Sequence, residues 1–223
     1  MHYDWDFSVL APYKMALFRG TLVSIELAFL TSVIGTILGI VFGGVFDYLP
    51  AKKLVLAVND AFRSIPQLVL ILFVYYFPYK EIFGVQPPNA FWCAVFALGF
   101  VQAVFTADLV IAAKHTIAPG PLMAARALGV PEAIIWRHIA LPDIMRKILP
   151  SLIAFWIGNL KLSSLASVIG VADVVFVAQV SIGQQFRTLE AWLVVAAIYV
   201  ILVTPCTVAA RYVEESAWLK RHT

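Results

Sequence analysis

The sequence predicts an all-α integral membrane protein with five transmembrane helices. Of its 223 residues, 62 % are apolar and 13 % are charged, whereas soluble domains have about 45–50 % apolar and about 25 % charged residues. The apolar residues form long runs without the alternation typical of barrel strands, and an open sheet would leave backbone groups unpaired in lipid. This composition argues against a soluble enzyme core, a disordered chain and a disulfide-built secreted domain.

Charged residues delimit five windows for the predicted helices. A spanning helix needs about 20 mainly apolar residues. Four stretches without any charge cover 27–46, 64–79, 82–107 and 191–210, and a fifth, 148–172, contains only Lys161. In a single domain covering 1–223, we therefore predict helices over 21–46, 57–77, 90–113, 148–170 and 190–211.

The basic residues predict how these helices are oriented. With the N-terminus outside, eleven Lys and Arg residues lie inside and four outside, with Lys161 counted as intramembrane, and the positive-inside rule favours this arrangement. The predicted topology therefore has the N-terminus outside and the C-terminus inside. The eleven inner residues are Lys52, Lys53, Arg63, Lys114, Arg126, Arg137, Arg146, Lys147, Arg211, Lys220 and Arg221.

Two further segments are assigned to packing. Gly35, Gly39 and Gly43 are spaced four residues apart on the first predicted helix, a pattern typical of closely packed membrane helices. Residues 174–189 are too short and too polar for a sixth span. We expect them to form an external amphipathic helix.

The longest polar connection covers residues 114–147, between the third and fourth predicted helices. Pro121 suits the first turn of a helix, and Gly129 is typical of a helix end. A second short helix is expected over 132–139, ended by Leu141 and Pro142. The residues alone leave open whether this loop docks another protein or lies flat on lipid headgroups.

Within this loop, the run MAARALGVPEAIIWRHIALP resembles the EAA loop of permease subunits of bacterial ATP-binding-cassette importers. The family pattern is Glu-Ala-Ala, three residues, Gly, nine residues, Ile, one residue and Leu-Pro, and Met123 occupies the Glu position here. The resemblance implies that residues 122–142 contain the coupling helix that sits in a groove of the ATPase subunit. The coupling residues so assigned are Met123, Ala124, Ala125, Arg126, Gly129, Ile139, Leu141 and Pro142.

Three other segments narrow the resemblance to the polar amino acid uptake branch of these importers. GTLVSIELAFLTSVIGTILGIVFG at 20–43, FRSIPQLVLILFVYY at 62–76 and LPSLIAFWIGNLKLSSLASVIGVADV at 149–174 resemble its first, second and fourth spans. Leu162 replaces the usual Asp of a Lys-Asp-Thr-Ser stretch, and Leu70 stands where Gln is frequent. Both departures remove polarity from positions expected to face the solute path. Three hypotheses follow: no conventional site, a solute with a masked ammonium group, or solute contact left to a partner permease.

The resemblance implies a bacterial inner-membrane permease for polar amino acids or their derivatives. Its implied partners are a second, identical or related permease, two ATPase subunits that bind ATP and Mg, an external solute-binding protein and the surrounding lipid. No cofactor, metal or nucleic acid is expected on the chain itself, since it contains no Gly-Lys pair for a phosphate loop and no metal-ligand spacing. The alternatives are a membrane-embedded enzyme and a structural membrane subunit with a docking loop.

Polar residues inside the predicted spans are candidates for the solute path, because charge at mid-bilayer is costly. Helical spacing places Asn159, Ser163 and Ser167 on one face. Interhelical hydrogen bonds are the alternative explanation of this stripe, and a structural ion pair near the membrane surface is the alternative for Asp108. The candidate path residues are Asn159, Lys161, Ser163, Ser164, Ser167, Asp108 and Glu26.

Overall fold

The first half of the chain forms two long helices separated by three short ones. The computed structural model describes residues 3–46, 49 and 52–219. A 3-10 helix over Ser8–Tyr13 leads directly into the first long helix. The helices that follow are α1 (Lys14–Val45), α2 (Lys52–Arg63), α3 (Gln67–Tyr76), α4 (Tyr79–Phe83) and α5 (Ala90–His115).

The second half contains the loop helices and two more long helices. The long loop folds into α6 (Pro119–Ala127) and α7 (Glu132–Ile135), and a π-helical turn over Trp136–Ala140 leads into α8 (Leu141–Leu162). After a 3-10 helix over Ser163–Ile169 come α9 (Val174–Gln185) and α10 (Thr188–Leu219). We call the side of the bundle that carries α6, α7 and the C-terminal ends of α1 and α5 the loop side.

The all-α membrane fold is confirmed. Four segments are long and apolar enough to cross a membrane, and the bent pair α2–α3 makes five if it counts as one span. The four are Ser8–Val45, Ala90–His115, Glu132–Ile169 and Thr188–Tyr212. Residues 174–189, expected to form an external amphipathic helix, form α9 as far as Gln185, and Thr188 begins α10. The apolar residues of α9 are not confined to one face, so the amphipathic prediction is wrong, and its external position stays a prediction. The inside and outside assignment stays a prediction, and two residues that it counts, Lys220 and Arg221, lie outside the described residues.

The predicted second span, 57–77, is broken rather than straight. Its two arms, Ala57–Arg63 and Gln67–Tyr76, meet at 96°. Pro66 lies between them and has no N–H for a continuing helix, and a residue that precedes proline is disfavoured in the helical region. The chain therefore turns at Ser64–Ile65 and starts a new helix after Pro66.

The second loop helix does not end at Leu141 and Pro142, which corrects the sequence prediction. Residues from Glu132 to Leu162 are helical throughout. A proline normally breaks a helix because it lacks the N–H of the ladder. Here the Leu141 N–H bonds to the Trp136 carbonyl oxygen in the wide π turn over Trp136–Ala140, and Pro142 follows at once. The missing N–H therefore falls where the hydrogen-bond pattern changes from π to α, not inside a regular α-helical ladder.

The glycine face of α1 packs directly on the backbone of α5, as its spacing predicted. A Cβ atom on Gly35 would lie 2.4 Å from Cβ of Gln102, and one on Gly39 would lie 2.4 Å from Cβ of Thr106 and 2.6 Å from the Ala103 carbonyl oxygen. Such separations are shorter than real carbon contacts. The two helices can therefore pack this closely only because α1 has no side chains there.

An N-terminal segment ties the start of the chain to the start of α10. Glu190 is fully buried beneath it. The Tyr3 hydroxyl donates to Glu190 Oε2 at 2.7 Å, and the Asp6 N–H donates to Oε1 at 3.2 Å. Arg187 Nη1 lies 3.5 Å from Glu190 Oε1 and donates to the Asp4 carbonyl oxygen at 2.7 Å. These contacts fix the side of the bundle opposite the loop.

Asp173 connects the 3-10 helix to α9 and carries a buried carboxyl group. Its Oδ1 accepts the Phe176 N–H at 2.8 Å and so caps α9, while its Oδ2 is buried without a hydrogen-bond partner among the described residues. Burial raises the pKa of Asp173 from 3.8 to about 7, although backbone N–H groups oppose the shift. At neutral pH a substantial fraction of this carboxyl group is therefore protonated.

We expect Gly39→Ala to lower the free energy of unfolding by about 1–3 kcal/mol relative to Gly158→Ala, because α1 and α5 must separate to admit the methyl group. The matched control lies in α8, where an added Cβ meets nothing within 4 Å. Both changes have the same effect on helix propensity, so their difference isolates the clash. Thermal unfolding in detergent measures it, and equal melting temperatures would contradict this packing.

We expect Asp173→Asn to remove a pH dependence of stability. The folded pKa of about 7 lies above the unfolded value of 3.8, so the wild-type chain loses stability as pH rises between these values, by at most about 4 kcal/mol. Asn still caps α9 but does not ionise. Melting temperatures between pH 5 and pH 8 test this, and an unchanged slope in the variant would refute the assignment.

Candidate coupling loop and polar residues of the spans

The turn after α6 depends on Gly129. The Val130 N–H donates to the Ala125 carbonyl oxygen at 3.1 Å, and the Gly129 N–H donates to that of Arg126 at 2.9 Å. This pair of bonds closes a helix through a left-handed residue. Gly129 has φ +72°, a region that residues with a side chain enter at a cost of about 1–2 kcal/mol. The predicted helix end is therefore observed.

The predicted coupling residues divide into an inward and an outward group. Ala125 is buried, whereas Met123 is 60 % exposed and Leu128, at the tip of the turn, is 83 % exposed. Two large apolar side chains thus face outward on the loop side, where protein contact would cover them. Also exposed are Ala124, Arg126, Gly129 and Pro142, while Ile139 and Leu141 are partly buried at the start of the long helix.

A bidentate ion pair joins α6 to α7. Arg126 Nε lies 2.6 Å from Glu132 Oε1, and Arg126 Nη2 lies 3.3 Å from Oε2. Both side chains are more than half exposed, so the pair contributes little to stability. Its planar geometry instead helps to set the angle between the two loop helices.

Lys114 connects the loop to both central helices. Its Nζ donates to the carbonyl oxygens of Gly43 at 3.3 Å and Gly44 at 3.0 Å, and it lies 5.5 Å from the ring centroid of Trp136. The same tryptophan approaches α1 closely, since a Cβ on Gly44 would lie 3.0 Å from its Cζ2. Sequence reasoning missed Lys114 and Trp136 as site residues, because a bond across 71 residues leaves no local pattern.

Asn159 makes the interhelical hydrogen bonds that were the alternative to a path role. It is 5 % exposed. Its Nδ2 donates to Ser32 Oγ at 2.9 Å and to Gln102 Oε1 at 3.0 Å, and Gln102 Nε2 donates to Thr106 Oγ1 at 3.1 Å. These bonds between buried polar groups join α1, α5 and α8. Such hydrogen bonds are stronger where water is excluded.

The predicted serine residues donate their hydroxyl groups to the backbone of their own segment. The hydroxyl groups of Ser163, Ser164 and Ser167 each donate to the carbonyl oxygen three residues earlier, at 2.9, 2.8 and 2.8 Å. Ser163 and Ser167 are buried. The four-residue spacing assumed for one α-helical face ends at Leu162, because Ser163–Ile169 is a 3-10 helix with three residues per turn.

The three charged candidates differ in their partners. Asp108 accepts a hydrogen bond from Asn59 Nδ2 at 2.6 Å and forms an ion pair with Arg63. The structural ion pair is therefore present, although Arg63 comes from α2. The side chains of Glu26 and Lys161 are exposed, and neither carboxylate nor ammonium makes a hydrogen bond or ion pair within the described part of the chain. A charge in lipid without a partner requires water or another chain.

The two apolar departures from the family pattern lie in packed surroundings. Leu70 is 8 % exposed. Leu162 is partly buried and packs against an apolar cluster that includes Leu27 and Ile71. Leu70 therefore does not face a solute path inside this chain. Burial accounts for the loss of polarity at Leu70, and packing against the cluster favours the apolar side chain of Leu162.

An apolar cavity of about 270 Å³ lies beside the Asp108 ion pair, between α1, α2 and α5. Aromatic side chains form much of its wall, and Asn59 and Asp108 contribute its polar part. The aromatic residues are Phe42, Phe46, Phe62 and Phe100.

Comparison with known proteins identifies relatives over nearly the whole chain. Residues 32–218 match the family described as binding-protein-dependent transport system inner membrane component. The chain is 30 % identical to the arginine transport system permease protein ArtQ of Bacillus subtilis (strain 168), over 94 % of this chain and 95 % of that protein. It is 31 % identical to the octopine transport system permease protein OccM of Rhizobium radiobacter, over 84 % and 80 %.

A solved structure shares the fold. It is a crystal structure of an amino acid ABC transporter with histidines, to which this chain is similar with a TM-score of 0.80 and 28 % sequence identity. The similarity covers 96 % of this chain and 100 % of the other. The fold is therefore shared over nearly the whole chain.

We expect Lys114→Met to loosen the loop. The change removes hydrogen bonds from a charged donor, worth about 1.5–3 kcal/mol each, and keeps a side chain of similar length. Arg137→Met is the control, since Arg137 is exposed on the adjacent π turn and has no partner within the described residues. Hydrogen exchange over 132–140 should become faster in Lys114→Met alone. Equal exchange in both variants would contradict the role of Lys114.

Proposed function

Because the chain belongs to the family of binding-protein-dependent transport system inner membrane components, we propose that it is the permease subunit of an ATP-driven amino acid importer. It is a multi-pass protein of a bacterial inner membrane. Relatives that transport arginine and octopine support a polar amino acid, or a derivative of one, as its solute. The membrane-embedded enzyme and the structural subunit are not favoured.

One observation carries the coupling role of the loop. α6 and the turn after it present Met123 and Leu128 outward, while Lys114 and Trp136 tie the same loop to α1 and α5. A partner seated on the exposed face can therefore move the central helices. We propose that α6, α7 and the turn between them dock in a groove of an ATPase subunit on the cytoplasmic side.

The ATPase subunits supply the energy in this proposal. Two of them, one for each permease, bind ATP and Mg, since this sequence contains no phosphate loop. When the ATPase dimer closes, the docked loops approach each other and the permease pair changes from inward to outward opening. The chain acts mechanically, and no bond is made or broken on it.

The solute path lies between two permeases rather than within one. Among the seven candidates, Asn159, Ser163 and Ser167 are buried inside this chain and serve packing. Glu26 and Lys161 are exposed and unpartnered within the described residues, and Ser164 is partly exposed. We therefore assign the path to these three residues, facing a second permease. An external binding protein delivers solute from the side opposite the loop.

We expect Gly129→Val to uncouple ATP hydrolysis from solute. An added Cβ meets no atom within 4 Å there, so the cost is backbone strain of about 1–2 kcal/mol. This strain lowers the ratio of correctly closed to open turn about five- to thirtyfold. Gly129→Asn is the matched control, because Asn tolerates the left-handed region. Uptake and solute-stimulated ATP hydrolysis are measured in proteoliposomes with the complete importer.

In these assays Gly129→Val should lose stimulated hydrolysis and uptake, whereas Gly129→Asn should keep both. Membrane abundance of the two variants should match wild type, since the turn lies outside the spans. Full coupling in Gly129→Val would overturn the docking assignment. Uptake by the chain without ATPase subunits would overturn the importer proposal itself.

A further inference from the structure

A groove of about 620 Å³ lies on the loop side between the end of α5 and the beginning of α8. Its rim is formed by Thr116, Asp143, Arg146 and Lys147, and its wall by apolar side chains of both helices. It is separate from the exposed face of α6 and from the proposed path residues. No role described above uses it.

The rim of the groove carries net positive charge. Lys147 Nζ pairs with Asp143 Oδ2 at 2.7 Å and donates to the Thr116 carbonyl oxygen at 3.0 Å. Arg146 is exposed and makes no hydrogen bond or ion pair within residues 3–46, 49 and 52–219. Among these side chains one acidic group faces two basic groups, so the guanidinium is the cation without an internal counterion.

The wall continues from this rim towards the membrane interior. Leu109 lies on α5 seven residues before Thr116, about 10 Å along the helix axis, and Ala112 lies between them along the chain. The neighbouring Leu149 is 41 % exposed. The groove therefore combines cationic donors at the membrane boundary with an apolar surface that extends into the hydrocarbon region. A free phosphate ion would use the rim alone.

We propose that this groove binds an anionic phospholipid, with its phosphate on Arg146 and Lys147 and one acyl chain along Leu109 and Ala112. Basic pockets between membrane helices are suited to such headgroups because charge and apolar contact act together. Arg146 supplies planar donors for a phosphate, and Lys147 adds a second cation. The choice of a lipid over a soluble anion rests on the apolar wall.

The site spans both ends of the coupling loop. Thr116 follows α5, where the loop begins, and Asp143 and Lys147 lie in the first turns of α8, where it returns to the membrane. A phosphate held at Arg146 and Lys147 would lie beside the bond from Lys147 to Thr116, where the two ends of the loop meet. Any effect of the lipid on coupling rests on the proposed function, whereas lipid binding to the groove does not.

Native mass spectrometry of the full chain in detergent tests the binding. The probes are palmitoyl-oleoyl phosphatidylglycerol and palmitoyl-oleoyl phosphatidylcholine, added separately. We expect retention of the anionic lipid to exceed that of the zwitterionic lipid. Arg146→Gln should lower retention of the anionic lipid about fivefold, and Arg137→Gln should not, because Arg137 is exposed on the same side but lies outside the groove.

A second variant separates a lipid from a soluble anion. Ala112→Trp fills the apolar wall at an exposed position and should lower lipid retention while leaving the basic rim intact. Equal retention of the two lipids, or equal losses in Arg146→Gln and Arg137→Gln, would overturn the site. Displacement by inorganic phosphate with no effect of Ala112→Trp would assign the rim to a soluble anion. No ATPase subunit is present, so failed transport cannot affect this result.

Discussion

The close approach of α1 and α5 is the constraint on which the rest of the structure depends. Three glycines spaced four residues apart bring the α1 backbone against Gln102, Thr106 and Val110. Lipid gives little hydrophobic drive for helices to associate, so close packing and interhelical hydrogen bonds must hold them. Asn159 then fixes α8 across this pair by donating to both helices. Lys114 can reach the last carbonyl oxygens of α1 from α5 because the two helices end so close together.

The sequence predicted the features that local chemistry determines. Charge-free stretches located the long helices, Gly129 marked a helix end because of its backbone, and the glycine spacing identified the packing face of α1. It failed where distant residues decide the outcome. Pro142 was expected to end a helix, but a preceding π turn accommodates it. Lys114 and Trp136 belong to no short pattern, and their importance follows from contacts with residues far away in the chain.

The polar residues of the spans show why sequence alone cannot assign a path. Asn159 and Lys161 are two positions apart, yet the Asn159 amide is buried among hydrogen-bond partners, whereas the Lys161 ammonium is exposed and has none in the part of the chain that the structure describes. Asp108 likewise has partners within the chain, an ion pair with Arg63 and a hydrogen bond from Asn59. A charge or amide in a membrane helix therefore either has a hydrogen-bond or ion-pair partner within the chain or needs one from outside it. Only the second kind points beyond the chain, as Glu26 and Lys161 do.

The continuous helix from the loop into the membrane suits this chain to transmit the proposed motion. α8 contains 22 residues, which corresponds to about 33 Å of helix, and Pro150 inside it removes one ladder hydrogen bond. In the proposed coupling, the π turn at the loop end of α8 acts as a joint. A rotation of about 10° at that joint displaces the far end by about 6 Å. The far end carries Lys161. In the proposed importer, a small angular change at the docked loop is thus amplified into a displacement large enough to open or close a passage for a small solute.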